Sequence, residues 1–447
     1  MSRANFGAAV AVAMALGQSA QAAPANPDLA VMQQQINALR SDYEARISQL
    51  EARLKAAEDA AAVTTAERVP DGVSPASEEM VIADPPAASP VSSANASNPG
   101  VSVVLNGNYV AASRATTGAP IPGFALSDGA GLPGRGLSLG ESEVTLAANV
   151  DPFLLANLTA SFSRDNQVSV EEAYIQTTAL PAGLTLKGGR FFSAVGYLNE
   201  RHAHNWSFID MPLPYRALLG NQYGDDGVQV RWLAPTPIFL ELGTEVFRGD
   251  GFPAGNGDKN RPGVQTVFAH AGADINDSSS WLAALSYVRS QARNRDTGGD
   301  IFNGKDRLGI ASLVYKWAPG GNLTERNLTL SGEYFWDQTR GTLNGAVVGR
   351  DAQGWYAQGV YQFAKGWNFG LRYAALDAGK TPVGLAGSVM DGLGRAPNTI
   401  SGLLEYDSSE FGRFRLQYSH DKAEARANDL LQVQYTVVYG PHGAHRY

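Results

Sequence analysis

The sequence predicts an all-β transmembrane barrel of about sixteen antiparallel strands, preceded by an N-terminal α-helical coiled coil. Three observations lead to this fold class. Apolar and polar residues alternate with a period of two in short segments throughout residues 100–447, the connections between these segments are short and long in turn, and tryptophans lie near both ends of the segments. Strands with one apolar and one polar face, joined in this way, are typical of outer-membrane barrels.

Sixteen candidate strands follow residue 100, and most have about the nine to eleven residues that cross a bilayer at a tilt. They lie near 101–112, 139–150, 153–163, 168–178, 184–192, 227–234, 238–248, 263–275, 280–291, 307–318, 327–338, 352–363, 367–376, 398–407, 412–420 and 430–440.

Every second connection is short, as at Asp151-Pro152 and Pro235-Thr236-Pro237. The opposite connections are mostly long, up to 193–226, and only the stretch 165–167 breaks the alternation. An even number of strands with both ends on the short-turn side places both termini in the periplasm.

Six tryptophans support this arrangement independently. Four of them flank short turns and two are expected at the opposite strand ends, as two aromatic belts at the membrane interfaces require. They are Trp232, Trp281, Trp317 and Trp367, and on the other side Trp336 and Trp355.

Composition excludes several other classes. The 447-residue chain has no cysteine, so it has no disulfide, no thiolate metal site and no cysteine nucleophile. Its formal net charge is −8, and no region is basic enough to predict a nucleic-acid partner. No run approaches the roughly 18 apolar residues of a membrane-spanning helix.

The first hundred residues divide into three parts. Residues 1–22 predict a cleaved secretory signal, with Ala20-Gln21-Ala22 as the peptidase site. In residues 23–59, apolar residues recur at spacings of three and four from Leu29 to Ala57, which predicts a self-associating coiled-coil helix, with a single exposed helix as the alternative. Residues 60–99 are rich in Ala, Pro and Ser and predict a disordered tether before the barrel at 100–447.

If the apolar face of each strand meets lipid, the opposite face lines a lumen. Sixteen strands enclose enough space for an aqueous channel, and the inferred lumen is polar enough to hold water. The charged residues predicted to line it are Arg231, Glu241, Glu245, Glu333, Asp337, Arg372, Glu405, Arg413 and Arg415.

The connection 193–226 is the longest and combines charges with aromatic residues. This composition suits a loop that folds inward and narrows the pore, where charged groups set ion preference; an outward surface loop is the alternative. Its candidate constriction residues are Glu200, Arg201, Asp210, Arg216, Asp225 and Asp226.

The same loop contains the one metal-like pattern, Glu200-x-His202-x-His204. In an extended chain these three side chains share a face, so they can converge on a zinc ion. His442 and His445 form a second pair. Solvated or hydrogen-bonded histidines are the commoner outcome, so no cofactor is expected and zinc at His202 and His204 is the alternative.

Two motifs that resemble catalytic signatures lack the context that they need. Gly136–Gly140 matches the nucleophile-elbow pattern without a following helix, and Gly129–Gly134 matches a dinucleotide fingerprint with Pro133 inside it and no strand before it. We therefore expect no enzymatic activity.

The signal, the coiled coil and the sixteen strands together resemble outer-membrane porins of the phosphate-selective porin O and P type. The stretch from Gly189 to His204 and the ending Gly440–Tyr447 resemble a subgroup named as zinc-regulated or receptor-like outer-membrane proteins. The resemblance implies a bacterial outer-membrane location and a trimer. The mixed charges of the inferred lumen depart from the basic ladder that gives this family its phosphate selectivity.

The expected function is a porin-like channel for passive diffusion of small hydrophilic solutes or ions, narrowed by the loop 193–226. The alternative is a substrate-specific uptake protein for a metal ion such as zinc or its complex, without a plug domain. The expected partners are outer-membrane lipid and further copies of the chain, joined through the barrel and through the coiled coil in the periplasm.

Overall fold

The computed structural model describes residues 99–116, 120–127, 130–164, 167–255 and 260–440. The predicted signal, coiled coil and nearly all of the predicted tether lie outside the described residues, as do His442 and His445. The described part contains seventeen strands that form one sheet. The strands are β1 (Gly100–Ala112), β2 (Gly136–Leu139), β3 (Ser142–Asp151), β4 (Leu154–Phe162), β5 (Val168–Thr177), β6 (Leu184–Phe192), β7 (Gly224–Leu233), β8 (Phe239–Phe247), β9 (Val264–Asn276), β10 (Ser279–Asp296), β11 (Ile301–Trp317), β12 (Asn327–Leu343), β13 (Ala346–Ala364), β14 (Trp367–Asp377), β15 (Asn398–Ser409), β16 (Gly412–Asp421) and β17 (Asn428–Tyr439).

The sheet closes on itself through β1. One edge of β1 pairs with β17, from Val103 opposite Tyr439 to Ala112 opposite Leu430. Its other edge pairs first with β2 and then with β3, which occupy one strand position and are separated by a break at 140–141. The result is a closed antiparallel barrel of sixteen strand positions, which confirms the number predicted from the sequence.

The period-two alternation sorts side chains between the two faces of the barrel, as β14 illustrates. Trp367, Phe369 and Leu371 on its outer face are 39%, 47% and 54% exposed, whereas Asn368 and Arg372 on the opposite face are 7% and 3% exposed. Slipping the register by one residue would turn the charged set outward. A lipid-facing cation costs about 2–4 kcal/mol at the bilayer midplane, so the pattern strongly favours one register.

Strands β10 to β13 are longer than predicted, at 18, 17, 17 and 19 residues. The prediction of long loops after β10 and β12 is wrong, because both strands continue until a tight turn leads into the next strand. One turn is Asn344-Gly345, where both residues have positive φ (49° and 85°), as a two-residue hairpin turn requires. Trp336 and Trp355 therefore lie within their strands, not at strand ends.

Helical structure is sparse in the described part. One α-helix, α1 (Leu213–Leu218), begins after Pro212 with Pro214 in its first turn, where a missing backbone N–H costs nothing. Among the described residues, no helix has the length and apolar character needed to cross a bilayer. The described residues also contain three 3-10 turns, Pro181–Gly183, Ala203–Asn205 and Pro319–Gly321.

Candidate functional site

Residues 193–223 connect β6 to β7 and are here called the inner segment. Tyr215 in this segment donates a hydrogen bond to Glu333 of β12 over 2.8 Å. His202 in the same segment lies 3.0 Å from Glu172 of β5. Since β5 and β12 are seven positions apart in the ring of sixteen, the inner segment reaches nearly opposite parts of the barrel wall.

The two ends of the inner segment are fastened to each other by a buried asparagine. The Asn199 amide donates to the carbonyl oxygens of Ser193 (2.7 Å) and Tyr223 (2.8 Å), and its own oxygen accepts from the Tyr223 amide (2.7 Å). The Ser193 amide also donates to Tyr223 over 3.0 Å. The segment is thus a closed loop whose base continues the β6–β7 pair.

Glu333, at 3% exposure, is a buried carboxylate that accepts hydrogen bonds from both the wall and the inner segment. One oxygen accepts from the Tyr197 amide (2.7 Å) and the Ser312 hydroxyl (2.6 Å). The other accepts from the hydroxyls of Tyr215 (2.8 Å) and Tyr356 (2.6 Å). Four donors replace the water that a buried carboxylate loses, so the charge can be held in the interior.

Three arginines predicted to line the lumen bind the backbone of the inner segment. Arg372 donates to the carbonyl of Asp210 (2.6 Å) and pairs with its carboxylate (2.6 Å). Arg415 donates to the carbonyl of Trp206 (2.7 Å), and Arg413 donates to the carbonyl of His204. A guanidinium has five donors and can satisfy several acceptors at once. These cations therefore act as fasteners between β14, β16 and the segment.

Acidic residues fasten the segment to β6, β7 and β8. Glu245 is fully buried and accepts from the Ala194 amide over 2.9 Å. Glu200 of the segment pairs with Arg231 and lies 3.6 Å from the ammonium of Lys187. Burial alone would raise the pKa of Glu200, but these two cations lower it below its ordinary value.

The other residues predicted for the lumen and the constriction each make a local contact. The shortest side-chain distances are 3.1 Å for Glu241–His270, 2.9 Å for Asp337–Thr339, 3.0 Å for Glu405–Asn368, 3.2 Å for Arg216–Asp421 and 4.2 Å from the Arg201 guanidinium to the Tyr197 ring.

Asp225 and Asp226 do not belong to the loop to which the sequence analysis assigned them, because β7 already begins at Gly224. Asp225 accepts the Gly249 amide over 2.7 Å and so orders the following loop. Asp226 pairs with Arg190 of β6 over 2.8 Å. Both act at the barrel wall.

Sequence reasoning missed an apolar cluster inside the barrel. Inward-facing side chains of β10 to β12 pack with the inner segment, whose Tyr215 ring lies 5.2 Å from that of Phe335. A signal was available, because β11 is apolar on both faces around Leu308, Ile310 and Leu313, as in a strand covered on both sides. The inward members on these strands are Val288, Leu308, Ile310 and Phe335.

His202 and His204 meet acidic residues that the sequence analysis did not connect with them. His202 Nδ1 lies 3.2 Å from Glu143 and 3.4 Å from Glu171, and its Nε2 lies 3.0 Å from Glu172. His204 Nδ1 lies 3.1 Å from Glu143. Burial alone would lower the pKa of His202, but Glu143 and the other carboxylates raise it well above the ordinary value. One group of ligand atoms with metal-site spacing occurs in the described residues, from Glu143, Glu171 and His202.

Comparison with known proteins yields a sequence relative and a shared fold. No family model matches the chain. An uncharacterized protein of Aquifex aeolicus is 30% identical over 337 residues, which cover 70% of each chain. The anion-selective porin from Comamonas acidovorans is 10% identical and superposes with a TM-score of 0.50 over 76% of this chain and 99% of its own. The outer membrane channel DcaP of Acinetobacter baumannii is 11% identical, with a TM-score of 0.48 over 76% of this chain and 96% of its own.

The likeness to the Comamonas porin concerns the fold, a large closed antiparallel barrel. The sequence relation to the Aquifex protein extends over most of both chains and is one of family. This chain therefore belongs to the same protein family as the uncharacterized Aquifex aeolicus protein.

Proposed function

We propose that the protein is a porin-like channel of the bacterial outer membrane through which small hydrophilic solutes or ions diffuse passively. The observation that carries the proposal is a closed barrel of sixteen strand positions with an apolar outer face and a charged inner face. A barrel of this size leaves space for an aqueous path, unlike an eight-stranded barrel that its own side chains fill.

The residues 193–226 would narrow this path. The inner segment is fastened to β5 through His202 and to β12 through Tyr215, so any solute must pass beside it. Glu143 lies on β3, and Glu171 and Glu172 lie on β5. Arg372 and Arg415 lie on β14 and β16. Facing groups of both signs favour weak ion preference and do not support phosphate selectivity.

Conductance in planar bilayers tests the proposal. The wild-type barrel should give small ohmic currents with a reversal potential close to zero in a salt gradient. Asp210→Ala removes the carboxylate partner of Arg372 and should give larger currents, because the segment loses a fastener. The matched control is Asp351→Ala, which removes the same group from an exposed pair with Arg340 and should leave the currents unchanged. No current from correctly folded barrels would refute a channel function.

For the N-terminal residues, we propose secretion through the signal at 1–22 and assembly into a trimer in which residues 23–59 form a periplasmic coiled coil after the tether 60–99. The apolar residues at heptad-like spacing support this. The mass of the detergent-solubilised complex, with and without residues 23–59, tests it. Loss of the trimer on deletion is expected, and an unchanged trimer would assign assembly to the barrel alone.

A second candidate function is uptake of a metal ion such as zinc, and the contacts of His202 with Glu143 and Glu171 favour it. Vesicles containing the barrel and a fluorescent zinc indicator would separate the two functions. Zinc entry that saturates at low concentration, and that is lost in His202→Ala while potassium conductance persists, would support metal uptake. Zinc entry that rises in proportion to concentration would support simple diffusion.

A further inference from the structure

His202 is oriented as a metal ligand. Its Nε2 lies 3.0 Å from a carboxylate oxygen of Glu172, which fixes the proton on that nitrogen in the neutral ring. Its Nδ1 is then the electron-pair donor, and this buried atom makes no hydrogen bond. A ligating histidine usually donates its other ring N–H to a carboxylate in this way.

Two carboxylates complete a three-donor set around Nδ1. Oxygens of Glu143 and Glu171 lie 3.2 and 3.4 Å from it, and all three donor atoms lie within 4.8 Å of one another. Neighbouring ligand atoms of a tetrahedral zinc ion, with bonds of about 2.0–2.2 Å, are separated by roughly 3.3–3.6 Å. The two distances from Nδ1 thus match this spacing, and a water molecule would supply the fourth ligand of such an ion.

The second oxygen of Glu143 and the side chain of Glu171 are also held. His204 Nδ1 lies 3.1 Å from the other oxygen of Glu143, and Glu141 is hydrogen-bonded to Glu171. The side chain of Glu143 is 2% exposed and that of Glu171 is 10% exposed. Each donor therefore has a partner that fixes its direction, which is the outer-shell support that protein metal sites show.

The negative charges around His202 also favour a bound cation. Three largely buried glutamates, Glu143, Glu171 and Glu172, cluster at the site. In the described part, their ion pairs within 4.0 Å involve only His202 and His204. Buried carboxylates are normally paired or coordinate metals. One imidazole with two carboxylates suits a divalent first-row ion such as Zn²⁺.

We propose that Glu143, Glu171 and His202 bind one resident divalent transition-metal ion, with Glu141, Glu172 and His204 as positioning residues. The ion joins the inner segment to β3 and β5, on the side of the barrel opposite the Glu333 contacts. It holds the segment in place and does not itself pass through the barrel, so the proposal does not depend on which solute the channel carries.

Zinc binding to the purified full-length protein tests the proposal directly. After EDTA treatment and dialysis, calorimetry and elemental analysis should show one tightly bound zinc per chain. His202→Ala, Glu143→Gln and Glu171→Gln should each weaken binding by more than the roughly 10–100-fold typical of outer-shell changes. The matched control is His270→Ala, which removes a histidine that contacts a single carboxylate, Glu241, and should bind zinc as the wild type does.

Two further measurements keep the test decisive. X-ray absorption of the zinc-loaded barrel should show nitrogen and oxygen donors at roughly 2.0–2.2 Å and one imidazole. His204→Ala should weaken binding by about 10–100-fold, and His204→Asn, which keeps a donor toward Glu143, should restore much of it.

Each variant is first checked for the heat-dependent gel mobility of a folded barrel, so that a folding failure is not read as lost binding. Unaltered zinc binding in His202→Ala would overturn the proposal, and so would equal losses in His202→Ala and His270→Ala. Absence of a stoichiometric site in the folded wild type would overturn it as well. Removing His442 and His445 should leave the stoichiometry at one.

Discussion

Tyr215→Phe separates the anchoring of the inner segment from its packing. The Tyr215 ring is fully buried against Phe335, and phenylalanine fills the same space. The substitution removes only the hydroxyl. That hydroxyl donates to Glu333 over 2.8 Å and accepts from the Leu198 amide over 3.0 Å, so one substitution breaks two hydrogen bonds and creates no large cavity.

The expected cost follows from these two bonds. A hydrogen bond to a charged group contributes about 1.5–3 kcal/mol, and a buried N–H left without an acceptor costs about 1–3 kcal/mol. We expect the anchored position of the inner segment to lose about 3 kcal/mol of stability relative to the open position, in which water can reach the Leu198 amide. At 1.4 kcal/mol per factor of ten, the open form of the segment becomes roughly 100-fold more populated.

Amide hydrogen exchange of the barrel in lipid nanodiscs, followed by mass spectrometry, measures this change. Peptides from 195–219 should exchange roughly 100-fold faster in Tyr215→Phe, and strand peptides should exchange at the wild-type rate. Tyr356→Phe is the matched control, because its hydroxyl also donates to Glu333 but comes from the wall strand β13. Wild-type exchange in 195–219 of Tyr215→Phe, or equal loosening in the control, would refute the reasoning.

Three other predictions concern the wall, a loop and the outer face. Gly354→Leu should displace the inner segment and raise conductance, because even a Cβ at Gly354 would lie 3.2 Å from Pro214 Cγ and 2.6 Å from Leu376 Cδ2. The control is Gly107→Leu, which should leave conductance unchanged because a Cβ there meets nothing within 4 Å. The Gly387 and Leu393 amides donate to Asp391 and lower its pKa below the ordinary value of 3.8. The ionised carboxylate should therefore keep its loop ordered above pH 3.8, and this order should be lost as the pH falls through the lowered pKa. Limited proteolysis across this pH range would detect the change. Brominated lipids should quench the outward-facing tryptophans but not the Trp206 side chain; equal quenching of Trp206 would contradict this placement.

The strand number could be predicted because each spanning strand carries its own signal. Lipid on one face and a polar interior on the other impose an alternation that is visible in about ten residues. The lengths of β10 to β13 were not predicted, because the outer face of the added residues is largely polar, as at Arg293, Arg340 and Asp351, and lacks the apolar alternation. The Asn344-Gly345 turn was the available signal, since this dipeptide favours a tight hairpin.

The site was predictable only in part, because its partners are distant in sequence. The pattern around His202 and His204 was visible in one stretch, but Glu143 and Glu171 lie on β3 and β5, and no local rule links them to the histidines. The same holds for Glu333, whose four donors come from the inner segment, β11 and β13. Such convergence arises from closure of the sheet, which a one-dimensional pattern does not contain.

The hydrogen bonds of Asn199 have a consequence for how the inner segment can move. A loop whose two ends are fixed at separate points moves mainly in its middle. Because Asn199 joins the carbonyls of Ser193 and Tyr223, the two ends of this loop are instead held together at one point. When the contacts with the wall strands are released, the segment can rotate about that point, and the residues farthest from Asn199 then move the greatest distance. A small tilt at the base then becomes a large displacement at the far side of the barrel.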